Sequence, residues 1–104
     1  MVSQKTTLIV FTSPAEGRED EYNEWYDNTH LPEFLALPGV VSGKRYRLSP
    51  GGPKARQSYT AVYELDGPAS GVLKAMDAAI KDGSMHMSSA LDPASISMSA
   101  WEEI

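Results

Sequence analysis

Residues 21–48 read EYNEWYDNTHLPEFLALPGVVSGKRYRL. The first ten of these positions carry Tyr22, Trp25, Tyr26 and His30, spaced for one side of a helix. Pro32 cannot donate to the carbonyl four residues back, so the helix is expected to end or kink near His30. Pro38-Gly39 then marks a turn, and Val40–Leu48 reads as a strand.

Working outward, Thr6–Thr12 (TTLIVFT) is β-branched and apolar, which suits a strand that Ser13-Pro14 terminates. From Ala15 to His30 the chain is amphipathic at 100° per residue. Arg18, Tyr22, Trp25, Tyr26 and Thr29 fall on one arc, and Glu21, Glu24, Asp27 and Asn28 on the other. The acidic residues Glu16, Glu19, Asp20 and Glu21 come early, where a helix dipole favours them.

After Leu48, the segment SPGGPKARQ (49–57) reads as a hairpin loop and Tyr59–Leu65 as a third strand. Gly67-Pro68 opens a second helix with Val72, Ala75, Met76 and Ala79 as its apolar stripe and Gly83 as its C-cap. Ser84–Ala94 lacks periodicity and is expected to be a mobile loop or lid. Ile96–Trp101 is the fourth strand.

The order β-α-β-β-α-β predicts an α+β, ferredoxin-like fold. Its four-stranded antiparallel sheet carries both helices on one face, and residues 1–104 form one domain. The strands are apolar at both parities: Leu8 and Val10 against Ile9 and Phe11, Tyr59 and Tyr63 against Val62. Two helices cover only one face, so a second copy of the chain is the simplest cover for the other.

Net charge is −5 with nine basic residues and no cysteine. The acidic balance argues against a nucleic-acid partner, and the lack of cysteine excludes disulfides, thiol chemistry and Cys-ligated zinc. No apolar run approaches the roughly 20 residues that cross a bilayer, and MVSQKTTLIVF is too short in its apolar part for a signal peptide. A cytoplasmic protein with no membrane partner is expected. Lys44, Arg45, Arg47, Lys54 and Arg56 cluster around the hairpin, either as a solvated strand end or as steering for an anionic ligand.

The stretch WYDNTHLPEFLALPGVVSGKRYRL resembles the dimeric α+β barrel superfamily, which includes EthD-like proteins, small polyketide cyclases, muconolactone isomerases and antibiotic-biosynthesis monooxygenases. The shared features are an aromatic pair, a His four or five residues on, a Pro two after that, and a Pro-Gly leading into a strand with Arg-Tyr. The resemblance implies a homodimer in which two sheets face each other as a barrel. It also implies cofactor-free chemistry on a hydrophobic ring system, in a pocket either between sheet and helices or inside the barrel. Three related groups are excluded. The second helix, residues 68–82, has no His to ligate heme. RQSYTAVYEL lacks the glycine of RNA-binding domains. TSPAEGRED places Arg18 among acids, unlike a phosphate loop.

Within this frame His30 is the expected catalytic base, because its ordinary pKa lies near neutrality. Tyr26, one turn earlier, is the expected donor to a developing oxyanion. Tyr22, Trp25, Asn23, Tyr46, Tyr59 and Tyr63 are the expected ligand-lining residues. Two histidines so far apart, His30 and His86, give no metal-site signal, and no cofactor is expected. The sequence thus predicts a cofactor-independent cyclase or isomerase acting on a small hydrophobic, oxygenated, polyketide-like substrate. A non-catalytic ligand-binding or stress-related dimer and a cofactor-free monooxygenase are the alternatives.

Overall fold

The computed structural model describes residues 5–104. Its elements are β1 (Lys5–Thr12), α1 (Glu19–Trp25), a π-helical turn (Tyr26–His30), α2 (Leu31–Leu35), β2 (Val40–Arg47), β3 (Tyr59–Asp66), α3 (Ala69–Asp82), a short 3₁₀ turn (Pro93–Ser95) and β4 (Ser97–Glu102). The four strands form one antiparallel sheet in the order β2-β3-β1-β4. This is the expected α+β, ferredoxin-like arrangement. Among the described residues no helix is long and apolar enough to cross a membrane.

Strand parity divides the sheet. Thr6, Leu8, Val10 and Thr12 of β1 and Ala61, Tyr63 and Leu65 of β3 are buried beneath the helices. The register places Arg45 beside Ala61 and Gly43 beside Tyr63 on that same side. The opposite face carries Ile9, Phe11, Val62, Tyr46 and Trp101, the last two being 52% and 59% exposed.

The first helix differs from expectation at both ends. It begins at Glu19 rather than Ala15. Pro14 is held in a bridge to Leu91, Ala15 N–H donates to the Ala90 carbonyl at 2.6 Å, and the chain turns at Gly17 before the helix can start. Nor does the helix stop at His30. It continues through Pro32 to Leu35 because the turn at residues 26–30 is π-helical, with Leu31 N–H donating to the Tyr26 carbonyl. Pro32 then falls in the first turn of α2, where no backbone donor is required.

The π turn also explains the burial pattern. Tyr22, Tyr26, His30 and Phe34 are all buried and lie four residues apart. In an uninterrupted α-helix each such step would drift by roughly 40°. The wider turn reduces that drift and keeps all four side chains over the sheet.

The second helix forms as read, with Val72 buried and Leu73, Met76 and Ala79 packed against the core. Gly83 caps it in the left-handed conformation (φ 85°). The segment 84–94 is not a free lid. Met85, Ala90 and Leu91 are buried, Met85 N–H donates to the Ala79 carbonyl, and Asp92 N–H donates to the Ser13 carbonyl.

Candidate functional site

The helix-covered face holds a continuous aromatic cluster. Tyr22 contacts Tyr59 (5.2 Å between ring centres) and Tyr26 (5.6 Å). Tyr26 meets His30 edge-on at 4.9 Å and 89°. His30 lies 6.2 Å from Phe34, which packs on Tyr63 at 4.1 Å. Trp25 stacks on the His30 imidazole at 4.7 Å and 21°. Gly43 makes room for this arrangement: a Cβ there would lie 2.7 Å from the Tyr63 ring and 3.3 Å from Leu31.

His30 is 8% exposed, and its Nδ1 is sealed without a protein hydrogen-bond partner. Loss of solvent pushes its pKa down to about 4 despite the nearby Glu33, so the imidazole is neutral at physiological pH. A cation favoured by the helix end, the simplest structural role for this residue, is therefore not what the environment provides. Burial pushes Tyr26 up to about 12 and raises Tyr63 as well. Both phenols stay protonated and can donate. Their hydroxyls influence each other's ionisation, but Tyr63 Oη has no partner of good hydrogen-bond geometry. Tyr22 is raised by burial too, and its hydroxyl is committed to Thr12 at 2.5 Å.

A polar network closes one end of the cluster. Arg45 donates to Asp27 (2.6 Å) and Asn23 (2.8 Å), and its guanidinium lies 4.3 Å from the Tyr26 ring centre and 5.4 Å from that of Tyr59. Asn23 Nδ2 donates to the Tyr59 hydroxyl, which donates to Glu19 at 2.5 Å. Arg45 is thus a cation–π partner of the site tyrosines. Sequence reading left it within an undivided basic cluster. Only strand register shows that it turns toward the helices while Lys44 and Tyr46 turn away.

Of the residues expected from sequence, His30, Tyr26, Tyr22, Trp25, Asn23, Tyr59 and Tyr63 come together. Tyr46 does not, because it stands on the other face of the sheet. Neither of two clefts beside the cluster opens on the imidazole. One cleft of about 210 Å³ lies at the hairpin base between Phe11, Arg47, Leu48 and Tyr59, and another of about 330 Å³ is lined by Glu21, Glu24, Trp25, Asn28, Thr29 and Ser88; His30 lines neither. The second histidine, His86, is exposed on the loop. Its ring Nδ1 lies 2.6 Å from Glu33, and its backbone N–H donates to the same carboxylate at 2.8 Å. Burial works against the charge on Glu33, but the two bonds from His86 outweigh it and hold the carboxyl below its usual range.

Two solved structures share this architecture. A candidate monooxygenase from Shewanella loihica PV-4 superimposes with a TM-score of 0.70 at 15% identity, covering 100% of this chain and 98% of that one. A protein of the ethyl tert-butyl ether D (EthD) family from Bacillus halodurans C-125 gives 0.67 at 25% identity, covering 96% and 99%. This chain has the subunit fold of the dimeric α+β barrels. No protein-family model matches it, and no curated protein sequence does. The superfamily expected from residues 25–48 is therefore supported by whole-chain geometry, although sequence identity is low throughout.

Proposed function

We propose that this protein is a cofactor-independent enzyme that removes a proton from a hydrophobic, oxygenated aromatic or polyketide-like small molecule, with His30 as the base. The observation that carries this reading is the pair of buried, unpartnered polar atoms, His30 Nδ1 and Tyr63 Oη, in one aromatic cluster with Phe34 between their rings. Each such atom costs about 1–3 kcal/mol when nothing satisfies it. A core built only for stability would replace them with apolar groups of the same shape. A ligand carrying a carbonyl or hydroxyl would satisfy both.

The chemistry follows from the charge states. A neutral imidazole is ready to accept a proton, while protonated Tyr26 or Tyr63 can donate to the oxygen where negative charge develops. The low basicity of His30 reflects lost solvation. An enolate formed beside it would supply the missing counter-charge in a low-dielectric setting and so favour the imidazolium. Once formed, the carbanion can close a ring or return its proton elsewhere, which would make the protein a cyclase or isomerase.

The Shewanella neighbour favours a second outcome from the same first step. Dioxygen, as oxidant, would add at the carbanion carbon of a CH2 group to form a hydroperoxide; loss of the second hydrogen of that carbon with cleavage of the O–O bond would leave a carbonyl in the product and release the other oxygen as water. The open sheet face, with Tyr46, Trp101, Phe11 and Ile9, is the surface on which we place a homodimer contact. One domain per chain and a small hydrophobic substrate complete the reading.

The test uses hydroxylated aromatic ketones. Solvent-deuterium exchange at the acidic C–H by NMR reports proton removal, and an oxygen electrode reports the oxidative branch. His30→Gln should reduce both by about 10²–10⁴-fold while the protein stays folded. Near wild-type turnover in His30→Gln would overturn the base assignment. Saturable binding with neither exchange nor oxygen uptake would make the protein a ligand-binding module instead.

A further inference from the structure

Trp25 is the residue shared by the imidazole stack and the surface cleft beside Thr29 and Ser88. Its indole covers a face of His30 as a planar aromatic substrate would have to. Its Nε1–H donates to the His86 carbonyl at 2.9 Å. His86 is in turn clamped at both its backbone N–H and its ring by Glu33, one turn beyond His30 on the same continuous helix. The contacts run in a closed circuit: helix to Glu33, Glu33 to His86, His86 to Trp25, Trp25 to His30.

We propose that Trp25 is a built-in occupant of the substrate's ring position, held against His30 by the Glu33–His86 clamp, and that the ligand is a planar aromatic whose N–H or O–H takes over the bond to the His86 carbonyl. The proposal rests on the proposed function for its substrate class. Its geometry is independent of turnover. Flat rings are selected because the imidazole presents a flat face, which the indole now covers at 4.7 Å and 21°, and a donor is selected because the His86 carbonyl already accepts from the indole N–H at 2.9 Å. Glu33 and His86 are positioning residues in this scheme, since they act on the imidazole only through Trp25.

The test uses indole as the probe, in a Trp101→Phe background so that Trp25 is the single tryptophan. Trp25→Ala should bind free indole saturably and shift the His30 ring signals in NMR. 1-Methylindole, which lacks the N–H, should bind about 3–10-fold more weakly. Absence of saturable binding or of a His30 shift in folded Trp25→Ala would overturn the proposal. If Trp25→Ala does not fold, Glu33→Gln and His86→Ala decide it. Each should raise acrylamide quenching of Trp25 severalfold. His86→Ala, which keeps the Glu33 charge beside the imidazole, should also move the His30 pKa up from about 4 toward its ordinary value. Unchanged quenching in both variants, or unchanged titration in His86→Ala, would overturn the clamp. Neither readout depends on activity, so opened variants without catalysis would count against the proposed function and not against this circuit.

Discussion

The two faces of the sheet follow the same alternation and meet different ends. Tyr63, under the helices, is fully buried, while Tyr46, on the neighbouring strand and the other side, is 52% exposed. The covered face contains the His30 cluster and most of the apolar burial. The open face has comparable residue types without a cover from its own chain. Side-chain chemistry alone therefore does not mark the site; the helix laid over one side does.

The largest effect should come from emptying the covered face. Phe34→Ala removes the ring between His30 and Tyr63 and should cost about 3–5 kcal/mol in urea unfolding. Tyr46→Ala should cost under about 1 kcal/mol in the subunit itself and act on self-association, giving a concentration-dependent effect in light scattering. Equal, concentration-independent losses at the two positions would erase the contrast.

Acid should sharpen it. The folded-state pKa of His30 is depressed from 6.5 to about 4. The unfolded chain therefore binds this proton first as pH falls. The stability associated with a neutral His30 is present above about pH 6.5 and is lost progressively as pH falls through about 4, amounting to about 3 kcal/mol. His30→Gln should lack that part of the pH slope. Parallel stability curves for wild type and His30→Gln between those pH values would contradict the buried, neutral imidazole.

A smaller loss is expected from crowding. Gly43→Ala puts a methyl group into the Tyr63 ring and should cost about 1–3 kcal/mol, measurable as a lower denaturation midpoint at unchanged m-value. The smallest effect belongs to the rim of the cluster. Asp27 is well exposed, so Asp27→Asn should change stability by under about 1 kcal/mol even though it breaks the ion pair to Arg45. A larger loss in the same denaturation assay would mean that the network around Asn23 and Tyr59 acts as part of the core.

Much of this organisation was readable from residue order. The alternating strands, the Gly83 cap and the cluster of Tyr22, Tyr26 and His30 follow from local periodicity, which depends on neighbours in sequence. What escaped depends on partners far along the chain. Arg45 joins the tyrosines only through its register against Ala61. The loop around His86 is pinned by Glu33, Trp25 and Arg18, which contact it from the first helix region. The continuation through Pro32 had a local signal after all. Tyr22, Tyr26, His30 and Phe34 repeat every four residues, a spacing too long for 3.6 and suited to a widened turn. The rule that proline ends a helix obscured it.

That widened turn has a consequence for how the gene can change. A π turn holds one residue more than the α-helix around it needs. Losing a single codon between positions 27 and 29 would let the turn close as ordinary α-helix. The four residues then left cover about the same rotation as the five of the π turn. Tyr22, Tyr26, His30 and Phe34 would all stay over the sheet. The helix can thus shed three nucleotides without turning its aromatic row away from the strands beneath it.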